Sequence, residues 1–221
     1  MIWEQNIHTI IMLTRCFERG RTKCDQYWPT DTGEPIYYGD LECVLKSEST
    51  LHNYTIRILE CTVGDRQRTV RQMHFTTWPD HGCPDGTDDL ISFVQQVRQH
   101  VPYKANNQGP ILVHCSAGVG RTGTWICVDR LLQHIRDHDE VDIFGTVLEM
   151  RQYRCNMVQT EDQYIYIHDC IADAIQKGMH ELLTYYSDRA GPEGEEEDVN
   201  LYENVEVKSN GTANHGTANH A

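Results

Sequence analysis

The segment from Pro110 to Ile135 constrains the fold more than any other stretch of this chain. Pro110-Ile111-Leu112-Val113 reads as a buried strand. The ten residues His114-Cys115-Ser116-Ala117-Gly118-Val119-Gly120-Arg121-Thr122-Gly123 follow as a glycine-bearing loop. Thr124-Trp125-Ile126-Cys127-Val128, continuing through Leu131-Leu132 and Ile135, carries a helical apolar period. A strand, such a loop and a helix make an anion cradle: the loop N–H groups turn inward and the helix adds its positive end. Gly118 and Gly120 permit the curl, because a Cβ resists the dihedrals required. Arg121 can grip two oxygens of a tetrahedral oxyanion. The same positive field favours thiolate at Cys115 and arms it as a nucleophile.

These ingredients describe covalent catalysis on a phosphate ester. A sulfurtransferase or an arsenate-reducing enzyme also uses a cysteine in an anion-binding loop. A buried structural cysteine near a surface arginine is the plain alternative. The loop therefore indicates a nucleophile but not its substrate.

Trp78-Pro79-Asp80-His81-Gly82 lies between a strand-like run (69–77) and a helix-like run (88–100). A leaving group needs a proton, and an aspartic acid on a loop can supply it and then act as base on the attacking water. Pro79 stiffens that loop, with Trp78 as anchor and Gly82 as hinge. An ordinary Pro-Asp turn would look the same. Gln159-Thr160-Glu161-Asp162-Gln163 opens the last strong helical stretch. An amide there can orient water. Read alone, Thr160 is an N-cap with Gln163 at the capping-box position.

Together these elements resemble the classical protein tyrosine phosphatases, and the receptor-type branch most closely. The resemblance runs from Trp3-Glu4-Gln5-Asn6 to about Lys177 and includes Lys23-Cys24-Asp25-Gln26-Tyr27-Trp28-Pro29 and Tyr38-Gly39-Asp40. It implies a cysteine phosphatase fold, an α/β arrangement with a mixed, highly twisted sheet flanked by helices. It implies that Cys115 forms a cysteinyl-phosphate, helped to stay ionised by His114. Ser116, Ala117, Gly118, Val119, Gly120 and Arg121 would cradle the phosphate, and the Thr122 hydroxyl would ease thiolate departure. Asp80 would serve as general acid and then base, Gln159 would position water and Gln163 would assist. Glu18 would brace the Arg121 guanidinium, and Lys23 would approach the acid loop. No metal or other cofactor is implied.

The family domain carries roughly sixty to ninety further residues before this point, so the resemblance casts the chain as an N-terminally truncated domain. No residue matches the family's pocket-wall tyrosine. Three readings follow: an active tyrosine phosphatase, an impaired phosphotyrosine-binding module, and a dual-specificity phosphatase with a shallower cleft. The Trp-Pro-Asp loop and the Gln-Thr-x-x-Gln segment argue against the third.

Composition agrees with a cytoplasmic domain, at the membrane's inner face if a receptor is the parent. Nine scattered cysteines with no Cys-x-x-Cys pair suit a reduced compartment rather than a disulfide scaffold or zinc site. A net charge of −14 argues against nucleic acid as a partner. No stretch is long and apolar enough to span a bilayer. His134 and His138 share a helix face, yet no third ligand is evident. The glycosylation patterns at Asn53 and Asn210 are discounted for a cytoplasmic chain. Strands are expected at 8–14, 37–46, 54–63, 69–77 and 111–114, and helices at 88–100, 122–137, 143–154 and 160–182. Met150, Tyr153 and Met157 are expected to fill core space.

The catalytic domain is expected to occupy 1–186. Residues 187–221 form an expected acidic, disordered tail, with eight acidic residues against Arg189 and Lys208. Tyr202-Glu203-Asn204-Val205 within it suits phosphorylation and docking of an adaptor. An unmodified tyrosine in a loose tail is the alternative. The expected substrates are phosphotyrosine proteins.

Overall fold

The computed structural model describes residues 1–79, 81–101 and 109–178. Asp80 and the whole 187–221 tail with Tyr202 lie outside the described residues. One mixed sheet contains, in spatial order, β4 (Pro35–Tyr38), β5 (Leu41–Thr50), β6 (Tyr54–Val63), β7 (Arg66–Phe75), β1 (Thr9–Met12) and β8 (Leu112–His114). From β4 to β7 the sheet is an antiparallel meander, whereas β1 runs parallel to both of its neighbours. A separate hairpin pairs β2 (Phe17–Glu18) with β3 (Arg21–Thr22). The helices among the described residues are α1 (Asp88–His100), α2 (Gly120–Asp137), α3 (Ile143–Tyr153) and α4 (Glu161–Gln176).

The apolar run Thr-Ile-Ile-Met forms β1 because that strand is covered on both faces, as inner parallel strands are. Its side chains alternate. Ile11 and Leu13 join the larger core with Met73, Phe75, Trp125 and Leu131, on the side of the helices. Ile10 and Met12 join a second core with Trp28, Leu45, Leu59 and Val70. α2 packs against α1, α3 and α4, and this is why most of its length is buried.

The ends of β1 and β8 set the position of the site. Leu13 N donates to His114 O at 2.9 Å, so the chain leaving β1 runs beside the loop that leaves β8. The residues from Leu13 to Glu18 thereby meet the Cys115 loop, although about a hundred positions separate them in sequence.

The elements differ from expectation in four places, one being α4, which ends at Gln176 although a helix is expected to 182. The stretch expected as one strand at 37–46 is a hairpin, β4 to β5. Tyr38 pairs with Leu41, and Gly39 takes φ +61°, a left-handed value that suits a two-residue turn. The short β2–β3 hairpin has too little apolar period to be seen in sequence. Met150 and Met157 are buried, but Tyr153 is 84% exposed. α3 stops at Tyr153 and the chain leaves extended at Arg154, so later residues and not that ring return over the core.

His74, buried on β7, gives the fold a pH dependence. Its Nε2 donates to Thr14 O at 2.8 Å, and its Nδ1 accepts from Arg57 at 3.4 Å. Burial outweighs the Thr14 contact and pushes its pKa down to about 4. The unfolded chain takes up this proton near 6.5, so it binds more protons than the folded one between those values. Stability is therefore expected to fall as pH drops from about 6.5 to about 4, by up to about 3 kcal/mol for this group. Urea unfolding midpoints at neutral and mildly acid pH check this, and His74→Gln should flatten the drop.

Candidate active site

The loop after β8 closes around the Cys115 sulfur. Gly118 N donates to Sγ at 3.3 Å and the Thr122 hydroxyl donates at 3.1 Å. Gly118 turns its N–H inward through φ +70°, which explains a glycine there. The helix α2 begins at Gly120 and has no acidic residue in its first turn, so nothing there cancels its positive end. Burial works against a thiolate at Cys115. The Thr122 hydroxyl and the amides of Thr122, Gly118 and Val119 outweigh it and hold the thiol below its ordinary value.

Arg121 stands in the first turn of α2. Its Nη1 donates to Glu18 Oε1 at 2.7 Å and to Leu13 O at 3.2 Å. Its Nη2 donates to Glu18 Oε2 at 2.9 Å and to Pro79 O at 3.0 Å. The four terminal N–H groups are thus occupied, and the guanidinium plane is fixed. Glu18 is 3% exposed. It also accepts from the Thr14 hydroxyl at 3.2 Å and from Arg15 N at 3.1 Å. Burial raises its pKa, but the Arg121 hydrogen bonds, with Arg15 and Thr14, bring it below the ordinary carboxylate value. The carboxylate is therefore a fixed anion that holds a fixed cation.

The Pro79 carbonyl on Arg121 ties the Trp78–Gly82 loop to the cradle. Trp78 is buried against Phe75 and Tyr166, and its Nε1 donates to Gly82 O at 3.2 Å. Gly82 adopts φ +67°. Asp80 itself lies outside the described residues. His81 lines a cleft of about 320 Å³ with Glu18, Arg19, Arg21 and Lys23.

The segment 154–163 packs beneath the cradle. Arg154 Nη2 donates to Ala117 O at 3.0 Å. Val158 N donates to Val119 O at 3.1 Å. A Cβ on Gly123 would stand 2.4 Å from Val158 N, so only glycine admits this approach. Val158 takes φ +61°, which costs a β-branched residue about 1–3 kcal/mol. Arg151 holds that turn through Met157 O at 2.9 Å and Val158 O at 2.8 Å. The strained turn delivers Gln159 and Gln163 over Gly120. A Cβ there would lie 3.3 Å from Gln159 Oε1 and 2.9 Å from Gln163 Nε2. Thr160 caps α4 through Gln163 N, as the spacing implies. The Gln163 side chain reaches Gln159 N at 2.9 Å rather than closing a capping box on Thr160.

His114 meets the loop through Cys115 O, 3.2 Å from Nδ1, and its Nε2 lies 2.7 Å from Tyr27 Oη. Burial lowers its pKa, so the ring is neutral at physiological pH. Ser116 and Ala117 are exposed at the mouth of the loop. Sequence reading gave no role to Tyr27, Thr14, Arg151 or Arg154, all of which touch the site or its supports. Only Tyr27 carried a signal, as part of the Lys23–Pro29 segment. His134 and His138 stack with ring centroids 4.1 Å apart, and no group of three metal-ligating side chains occurs among the described residues. No helix among them is long and apolar enough to cross a membrane.

The comparisons with known proteins agree with this geometry. The family model described as Protein-tyrosine phosphatase matches residues 1–173. Receptor-type tyrosine-protein phosphatase eta of Mus musculus is 44% identical over 213 residues, 95% of this chain and 16% of that protein. The eta protein of Gallus gallus is 49% identical over 180 residues, 80% of this chain and 12% of the relative. Phosphatidylinositol phosphatase PTPRQ of Rattus norvegicus is 47% identical over 186 residues, 84% of this chain and 8% of the relative. The chain thus spans less than a fifth of the length of each of these curated relatives. A match covering most of the chain, on a fold whose central loop buries a cysteine among amide donors, leads to one conclusion: this chain belongs to the protein-tyrosine phosphatase family.

Proposed function

We propose that this chain hydrolyses phosphotyrosine in proteins through a cysteinyl-phosphate intermediate. The carrying observation is the Cys115 sulfur held by the Thr122 hydroxyl and the Gly118 amide, with Arg121 locked by Glu18 at the start of the same helix. In the first step the thiolate attacks phosphorus in line. The S–P bond forms, the P–O bond to the tyrosyl oxygen breaks, and Asp80 gives its proton to that oxygen. Loop amides and Arg121, one Nη2 hydrogen of which exchanges Pro79 O for phosphate, carry the charge on the equatorial oxygens, where preorganised donors act most strongly. In the second step Asp80, now a carboxylate, takes a proton from a water held by Gln159, with Gln163 assisting. The O–P bond forms, the S–P bond breaks, and the Thr122 hydroxyl receives the departing thiolate. Lys23 and the Pro79 carbonyl on Arg121 support an acid loop that lies against the cradle.

Asp80→Asn is expected to cut turnover on a phosphotyrosine peptide by about 10²- to 10⁴-fold while capture of that peptide persists. Steady-state rates beside a binding isotherm check this, and equal rates would take Asp80 out of the mechanism.

A second substrate reading rests on the similarity to a protein named as a phosphatidylinositol phosphatase. Initial rates on matched phosphotyrosine and phosphothreonine peptides and on a soluble phosphoinositide separate the readings. The tyrosine peptide should be preferred, and a preference for the phosphoinositide would replace the proposal. The reading includes a cytoplasmic location, and an adaptor site at Tyr202 in an acidic tail spanning 187–221.

A further inference from the structure

Gln72 lies on β7 and is fully buried. Its carboxamide is oriented by its neighbours. Arg57 Nη1, 2.9 Å from Oε1, can only donate. The amide nitrogen therefore faces Tyr27 Oη, 2.8 Å away, and donates to it. Beyond Tyr27 stands His114, with Nε2 at 2.7 Å from the hydroxyl and Nδ1 at 3.2 Å from Cys115 O. That carbonyl can only accept. A neutral imidazole carries one proton, so the proton sits on Nδ1, and Nε2 takes the Tyr27 hydroxyl hydrogen. The competing acceptor for that hydrogen is Met12 Sδ at 3.8 Å. A thioether accepts weakly, and that choice would set the Nδ1 lone pair against a carbonyl oxygen.

We propose that Gln72, backed by Arg57, is a positioning residue that fixes His114 as its Nδ1–H tautomer, so that the ring donates to the Cys115 carbonyl behind the nucleophile. The donors run in one direction, from a permanent cation through Gln72, Tyr27 and His114 to the Cys115 loop. Each bond polarises the next in a low-dielectric core. Arg57 also donates to His74, which donates to Thr14 O, and the Thr14 hydroxyl donates to Glu18. One guanidinium thus supports both the cysteine loop and the brace of Arg121. The titratable and charged groups around this unit are Arg121 on α2, Glu18 on β2, Arg57 on β6, His74 on β7, Arg15 beside His74, and Tyr27, Cys16 and Cys24 from the chain between β1 and β4.

Only the consequence for the thiol rests on the phosphatase reading, because the tautomer is observable without turnover. Gln72→Glu keeps the shape and the Arg57 contact but turns the donor into an acceptor. Tyr27 then gives its hydrogen to position 72 and offers lone pairs to His114, whose Nε2 takes a proton. Two-bond 1H–15N correlation spectra of the full chain are expected to show Nδ1–H alone in the wild type and a proton on Nε2 in Gln72→Glu, alone or beside one on Nδ1. Alkylation of Cys115 by iodoacetamide near pH 6 is expected to slow roughly threefold in the variant, because the Cys115 backbone loses a donor and less of the sulfur is thiolate. An Nε2–H or doubly protonated His114 in the wild type overturns the proposal whether or not the variant folds. An unchanged tautomer in folded Gln72→Glu overturns the role of Gln72. Absence of hydrolysis with the tautomers as expected overturns the phosphatase reading and leaves this one standing.

Discussion

Cys115→Ser is expected to lower hydrolysis of an aryl phosphate by roughly a millionfold, the size of effect seen when another enzyme loses its covalent nucleophile. The substitution changes little else. A serine oxygen can occupy the same place, and the Gly118 amide and Thr122 hydroxyl remain aimed at it. Those donors bring a thiol below its ordinary value against the opposing effect of burial. An alcohol starts many units higher, and the same donors cannot ionise it. The anion cradle depends on amides and Arg121, so the variant should still retain a phosphotyrosine peptide. Parallel assays of turnover and peptide binding check both halves. A variant rate within tenfold of the wild type would assign the nucleophile to another group.

Arg121→Lys is expected to lower kcat/KM by about a thousandfold, in the range for loss of a transition-state donor or an arginine that stabilises phosphoryl charge. The guanidinium meets both Glu18 oxygens, Leu13 O and Pro79 O at once. An ammonium on a flexible stem cannot keep both Glu18 oxygens and also present a planar fork to phosphate when it replaces Pro79 O. Two effects should therefore appear together: weaker transition-state stabilisation and a looser acid loop. Vanadate affinity reports the first. Protease sensitivity around Trp78–Gly82 reports the second. A lysine variant with wild-type kcat/KM would leave the Arg121–Glu18 pair a purely structural ion pair.

The residues adjacent in sequence were the most legible part of the site. The strand, glycine loop and helix around Cys115 carry their own signals: an unbroken apolar run, two glycines and a 3.6-residue period. They appear as β8, the loop and α2. The hairpin at Tyr38-Gly39-Asp40-Leu41 was less legible, because a two-residue turn barely interrupts the alternation of the strands it joins. Tyr153 misled for a different reason. A helical period marks a face but not the residue at which the helix ends.

Pairwise meetings across the fold were not legible from spacing. Only the family resemblance singles out Glu18 and Lys23, since no local pattern distinguishes a brace from a surface carboxylate. Gln72, Tyr27 and Arg57 gave still less warning. Each is a plausible strand or loop residue, and only the sheet register and the crossing of chain segments bring their donors and acceptors into line.

The amino-acid sequence by itself determined the class of chemistry, because a curled loop between strand and helix, its glycines and its helix dipole are local properties that need only neighbouring residues. Tertiary structure alone decided which carboxylate holds Arg121, which backbone approaches Gly123, and which donors converge behind His114. Those are contacts between segments 15 to 108 residues apart. Their existence depends on β1 lying between β7 and β8, a placement set by burial of both its faces.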